Sequence, residues 1–145
     1  MLKVRLSHAV IAITIILVPI SLVHAQRAQT FKTRLSPAPV DATNQASTTG
    51  VGAVTAVLTG TKLSVSGTFS GLQAPATIAQ IHVGPRGIPG PAALDLTVTK
   101  ATSGTLSGEL TLTSAQVDHL MRGRLYIQIH SEKAPEGNLR GWLLQ

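Results

Sequence analysis

The chain has 145 residues, with 12 Lys and Arg against 6 Asp and Glu, five histidines and no cysteine. That length suits one modest hydrophobic core, and the lack of thiols excludes a disulfide scaffold, a thiolate metal site and thiol catalysis. The positive charges are dispersed rather than blocked, a pattern of solvated surface, and no nucleic acid is expected as a partner.

The first 25 residues read as a secretory signal peptide. Lys3 and Arg5 begin it, an apolar run follows over residues 9–22, and Val23-His24-Ala25 supplies a cleavage site after Ala25. The run is shorter than the roughly 20 residues of a membrane span. An uncleaved anchor is the alternative, and it would be the molecule's one membrane contact. No twin arginine and no lipid-anchored cysteine accompanies it. Export to the periplasm, the cell surface or the medium is therefore expected. Without Lys3 and Arg5 the mature chain holds ten basic residues against six acids, a net charge of +4.

Residues 26–49 contain Ser36-Pro37-Ala38-Pro39 and then a polar stretch. Weak apolar periodicity predicts a flexible tether. Its Arg27, Lys32 and Arg34 suit either a solvated linker or contact with an anionic envelope surface.

The folded domain is expected over residues 50–145. Gly52, Val54, Ala56 and Leu58 alternate with small or polar partners, Gly60 turns the chain, and Leu63, Val65, Gly67 and Phe69 line a second strand. Further strands are expected over residues 78–83, 93–99, 105–111, 125–130 and 138–144. Thr113 and Gln116 have capping-box spacing, with Leu112 placed to staple onto Val117. A two-turn helix should follow, presenting Val117, Leu120 and Met121 on one face and ending at Gly123. The glycines and prolines of residues 84–92 fit Gly-X-Y three times over. Three triplets flanked by strands make a loop, not a collagen helix. About seven short strands and one helix predict an all-β fold, an antiparallel sandwich or Greek-key barrel.

Alternation puts Ala79, Ile81 and Val83 on one face of their strand and Gln80 and His82 on the other. Likewise Leu125, Ile127 and Ile129 face inward while Tyr126, Gln128 and His130 face outward. In the last strand Leu139, Gly141 and Leu143 leave Arg140 and Trp142 outside. If these strands are neighbours, His82, Tyr126, His130, Arg140 and Trp142 form one outer patch, the candidate ligand surface.

Several ordered motifs resemble the chordin-type (CHRD) domain. They are Gly67-Thr68-Phe69-Ser70-Gly71-Leu72, Ile81-His82-Val83-Gly84-Pro85-Arg86-Gly87-Ile88-Pro89-Gly90 and Gly108-Glu109-Leu110. Leu120-Met121-Arg122-Gly123, Tyr126-Ile127-Gln128-Ile129-His130 and Pro135-Glu136-Gly137-Asn138-Leu139-Arg140-Gly141 complete the set. The resemblance implies an immunoglobulin-like, exported, non-catalytic binding or structural module whose partner is an unassigned extracellular or envelope protein or ligand. The chain departs from the family pattern at Gln80, where a histidine is common, and at Asn138, where a glutamate is common. The family's His-x-His pattern is similar to that of copper/zinc superoxide dismutases, and Gln80 weakens a metal site of that kind, because a neutral amide is a poor ligand.

No cofactor is expected. The alternative is a copper- or zinc-binding module through His82 and His130, short of the three or four ligands such a site normally uses. Hydrolase chemistry lacks a Gly-x-Ser-x-Gly elbow, and glycosidase chemistry lacks a close acidic pair. Arg140 can offer a planar fork to a partner's carboxylate, or pair internally with Glu136, Glu109 or loop carbonyls.

Overall fold

The computed structural model describes residues 26–145; the expected leader lies outside the described residues. In chain order the elements are β1 (Gln29–Pro37), β2 (Val51–Thr59), β3 (Lys62–Ser70), β4 (Ala76–Val83), β5 (Ala92–Val98), β6 (Gly104–Thr111), α1 (Ser114–Met121), β7 (Leu125–Ser131) and β8 (Ala134–Trp142). The strands pair antiparallel and close into a barrel of order β1-β2-β3-β6-β5-β4-β7-β8. The strands β4, β5 and β6 are consecutive, with β3 beside β6 and β7 beside β4. These are two overlapping Greek keys. Of the two architectures open to the sequence, the barrel is the one formed. Among the described residues no helix is long and apolar enough to cross a membrane.

Local chemistry explains most of these elements. Thr59 pairs with Lys62, so Gly60 and Thr61 form a two-residue hairpin loop, and Gly60 has a φ of 63° that glycine adopts without penalty. Alternating residues fill the barrel: Val54, Ala56 and Leu58 from β2, Leu63, Val65 and Phe69 from β3, Ala79 and Ile81 from β4, and Leu125, Ile127 and Ile129 from β7. Burying each large side chain contributes about 1.5–3 kcal/mol. Thr113 and Gln116 form the expected capping box at the start of α1. Leu120 enters the core and Val117 packs against it. Met121, expected on the same face, is 45 % exposed, so the helix buries a narrower apolar stripe than its sequence offers.

The main correction concerns the expected tether. Residues 29–37 form β1, an eighth strand, paired with β2 from Gln29↔Leu58 to Leu35↔Gly52. Phe31 and Leu35 are fully buried, and only Thr33 separates them on that face. Two apolar residues with a threonine between make a weak period-two signal, yet each inserts between the strands that close the barrel. Closure itself comes from β1 against β8, through Ser36↔Arg140 and Pro37↔Leu139 and a bridge between Lys32 and Leu144. The last hairpin also turns earlier than expected, with Ser131 opposite Ala134.

Candidate functional site

The β4, β7 and β8 strands lie side by side. His82 is opposite Tyr126, Gln80 opposite Gln128 and Ile78 opposite His130. Tyr126 is opposite Trp142, and Gln128 opposite Arg140. The pairing thus brings all five candidate residues to one face, turned away from the apolar core as alternation predicts. Their rings form a diagonal stack. The centroids of His130 and His82 are 6.0 Å apart, those of His82 and Tyr126 are 5.0 Å apart, and those of Tyr126 and Trp142 are 4.8 Å apart. The Arg140 Cζ lies 5.4 Å from the Tyr126 centroid, within cation–π range.

The face is not open to solvent, which corrects the picture of an outer patch. Tyr126, Gln128, His82 and His130 are all buried; only Arg140 and Trp142 remain half-exposed. Two segments cover the rest. The loop joining β4 to β5, residues 84–91, folds over the stack. Gly90 N–H donates to Tyr126 Oη at 2.9 Å, Tyr126 O–H donates back to the Gly90 carbonyl at 3.0 Å, and Trp142 Nε1–H donates to the Gly84 carbonyl at 3.1 Å. The start of β8 covers the other end, placing the Pro135 carbonyl 2.7 Å from His130 Nδ1. Gly137 makes this approach possible: its φ is 132°, and a Cβ there would lie 2.9 Å from the Gln128 amide carbon.

Hydrogen-bond partners assign the imidazole tautomers. His130 faces a carbonyl at Nδ1, so that nitrogen carries the proton, and its Nε2 accepts from Gln128 Nε2 at 3.2 Å. Gln128 is oriented in turn by Arg140 Nε–H, which donates to Gln128 Oε1 at 2.7 Å. Its amide nitrogen also reaches the Glu136 carbonyl. His82 donates from Nδ1 to the Gly90 carbonyl at 2.9 Å, leaving its Nε2 lone pair buried without a partner. Burial holds the His82 pKa below the usual imidazole value, against the Gly90 hydrogen bond and with His130 and Arg140 nearby reinforcing the depression.

Arg140 takes neither expected glutamate as partner; the Gln128 amide and the Tyr126 ring hold it. All six carboxylates of the chain lie among the described residues, and the one ion pair there is Arg122 with Asp118. Asn138, noted in the sequence as a departure, proves to be a buried tie. Its Oδ1 accepts from Ser131 Oγ at 2.7 Å, its Nδ2 donates to the Thr49 carbonyl at 2.6 Å, and its own carbonyl accepts from Ala38 N–H.

Outside the stack, Lys32 and Arg34 from β1, Arg86 from the covering loop, and Arg140 and Trp142 from β8 line a cleft of about 370 Å3. Of these cations only Arg140 belonged to the sequence-based patch. Lys32 and Arg34 alternate with the buried Phe31 and Leu35, the signal that would have placed them on the outer face had β1 been recognised. A larger hollow of about 530 Å3 lies over β1, β2 and β3, where Arg34 is the one charged lining residue.

For metal chemistry the stack offers two imidazoles. Among the described residues no three His, Cys, Asp or Glu side chains are grouped to hold an ion, and His130 Nε2 is already engaged by Gln128.

Comparison with curated proteins and with solved structures returned no match. Comparison with protein families matched the CHRD domain over residues 31–143. The match begins inside β1, in agreement with that strand's place in the barrel. It covers most of the chain, the greater part of β1, the other seven strands and the whole histidine–aromatic stack, and on that ground the chain belongs to the CHRD domain family.

Proposed function

We propose that this chain is an exported, non-catalytic binding module and that it binds through the face carrying His82, Tyr126, His130, Arg140 and Trp142. The five residues divide the work. Arg140 and Trp142 reach solvent and make the contact, while His82, Tyr126 and His130 form the rigid stack beneath. The observation that carries this reading is the state of Arg140. Its guanidinium is held by an uncharged amide and an aromatic face, so its charge is unneutralised and its position is already set. A preorganised, half-desolvated arginine beside an indole resembles the anchors that dominate binding interfaces. Membership of a family generally made of non-enzymatic, extracellular or periplasmic modules supports the same view.

The test is affinity retention from an envelope or culture-medium fraction by the wild type, Arg140→Ala, Trp142→Ala and a control on the opposite wall, Ser66→Ala. A component retained by the wild type and the control but lost by both face variants supports the proposal. Equal retention by all four refutes it.

The copper or zinc reading draws on one observation, the buried and unpartnered His82 Nε2. Stoichiometric copper or zinc in tag-free protein, lost in both His82→Ala and His130→Ala, would favour that reading over the first.

A further inference from the structure

The barrel gathers cations that are far apart in sequence. Lys32 and Arg34 sit two apart on the outer side of β1, Arg86 sits on the loop over the stack, and Arg140 lies on β8; all four line the cleft at the β1–β8 seam. They are four of the ten Lys and Arg residues that follow the expected leader, and no carboxylate lines the cleft with them. With four cations and no carboxylate in its lining, the cleft concentrates positive charge.

Its lining narrows the ligand. A second hollow of about 220 Å3 lies against Pro37, Pro39 and Gly87 and shares Ser36, Arg140 and Trp142 with the first. The two therefore adjoin as one groove, with Ser36, Arg140 and Trp142 common to both parts. One side of the Trp142 indole is packed on Tyr126, and Ser36, on the same outer side of β1 as Lys32 and Arg34, also lines the groove. Spaced cations, a serine hydroxyl and one aromatic suit a chain that repeats both an anionic group and a hydroxylated ring. Single-stranded nucleic acid is also anionic, but its recognition uses successive bases on several aromatics, and this groove has one.

We infer that the groove over the β1–β8 seam binds an acidic polysaccharide, with Lys32, Arg34, Arg86 and Arg140 meeting its carboxylate or sulfate groups and Trp142 packing on a sugar ring. This deepens the proposed function and rests on it, since Arg140 and Trp142 serve both. Arginine forks meet carboxylate and sulfate oxygens in pairs, and binding through exposed charges weakens as salt screens them.

Trp142 is the chain's one tryptophan, so its emission reports occupancy of the groove. The purified chain is titrated with polygalacturonate, dextran sulfate, neutral dextran of matched length, a single-stranded oligonucleotide and phosphatidylglycerol vesicles. The expected result is a saturable change in Trp142 emission with at least one acidic polysaccharide and none with neutral dextran. Raising salt from 50 to 500 mM should weaken it roughly tenfold or more. Arg86→Ala and the pair Lys32→Ala/Arg34→Ala alter exposed side chains and should keep the urea midpoint of the wild type while each weakens binding about tenfold. The off-groove pair Lys62→Ala/Lys100→Ala should stay within about twofold. Equal losses from the off-groove pair, equal binding of neutral dextran, or tighter binding of the oligonucleotide or the vesicles would each overturn the inference. Silence toward both acidic polymers also overturns it. The broader proposal fails separately, when Arg140→Ala and Trp142→Ala retain the same envelope component as the wild type.

Discussion

Replacing Asn138 by alanine should destabilise the barrel more than any other single polar truncation in the domain. The side chain is fully buried and joins three segments that are remote in sequence: Ser131 on β7, Thr49 before β2 and, through its backbone, Ala38 after β1. Truncation leaves the Ser131 hydroxyl, itself fully buried, and the Thr49 carbonyl without their partners. An unmade buried hydrogen bond costs about 1–3 kcal/mol per orphaned group. Thr49 is only partly buried and recovers some of its loss through water, so the sum is about 3 kcal/mol. Against a typical domain stability of about 5–15 kcal/mol that is a large fraction. With a urea slope of about 1.5 kcal/mol/M, the midpoint should fall by about 2 M, followed through Trp142 emission. Ser131→Ala alone should cost about 1 kcal/mol, and the double variant about 1 kcal/mol less than the sum of the singles, because both remove the same bond. Asn138→Asp keeps the volume but sets a carboxylate against the Thr49 carbonyl, and at pH 7 should cost at least as much as alanine. If Asn138→Ala costs under about 1 kcal/mol and the cycle is additive, the tie does not hold the barrel ends together.

Three further outcomes are expected. Because burial depresses the His82 pKa below the ordinary 6.5, the unfolded state takes up that proton more readily; the contribution to stability is complete above about pH 6.5 and declines as pH falls through the folded pKa. Unfolding free energy measured between pH 7.5 and 5 should show this decline in the wild type and a shallower one in His82→Phe. Asp41, whose pKa is lowered from 3.8 by hydrogen bonds from Thr43, acts in a separate, more acidic window. Tyr126→Phe removes both hydrogen bonds to Gly90; it should lower stability by about 1–2 kcal/mol and speed amide exchange at Gly90, while amides in β2 and β3 change no more than the global stability requires. Thr113→Ala removes the hydroxyl that caps α1 and should cost about 1 kcal/mol in urea unfolding, leaving the ring stack unchanged by aromatic NMR shifts.

The residues most legible in the sequence are those whose neighbours along the chain decide their structure. Strict alternation from Val54 to Leu58 and from Leu63 to Phe69, with a glycine turn between, marks a hairpin before any long-range contact is known. The Thr113–Gln116 capping box is equally local, and so is the separation of Ile127 and Ile129 from Tyr126, Gln128 and His130. The family motifs placed both histidine strands in one domain. By contrast, β1 was hidden, since Phe31 and Leu35 alone carry its apolar face and proline-rich polar chain follows it. Its strand character comes from partners 17 to 29 residues away on β2 and more than 100 residues away on β8.

By itself the sequence determined the strand alternation, the helix cap, the family and the side of the sheet on which His82, Tyr126, His130, Arg140 and Trp142 lie. Backbone periodicity and turn chemistry are short-range, so they are written along the chain. Tertiary structure alone decided that the 84–91 loop and the start of β8 cover the histidine stack, that Gln128 rather than a glutamate holds Arg140, and that Lys32, Arg34 and Arg86 converge beside it. Those outcomes depend on barrel closure, which sets the distance between strands at opposite ends of the chain, and no run of neighbouring residues encodes that distance.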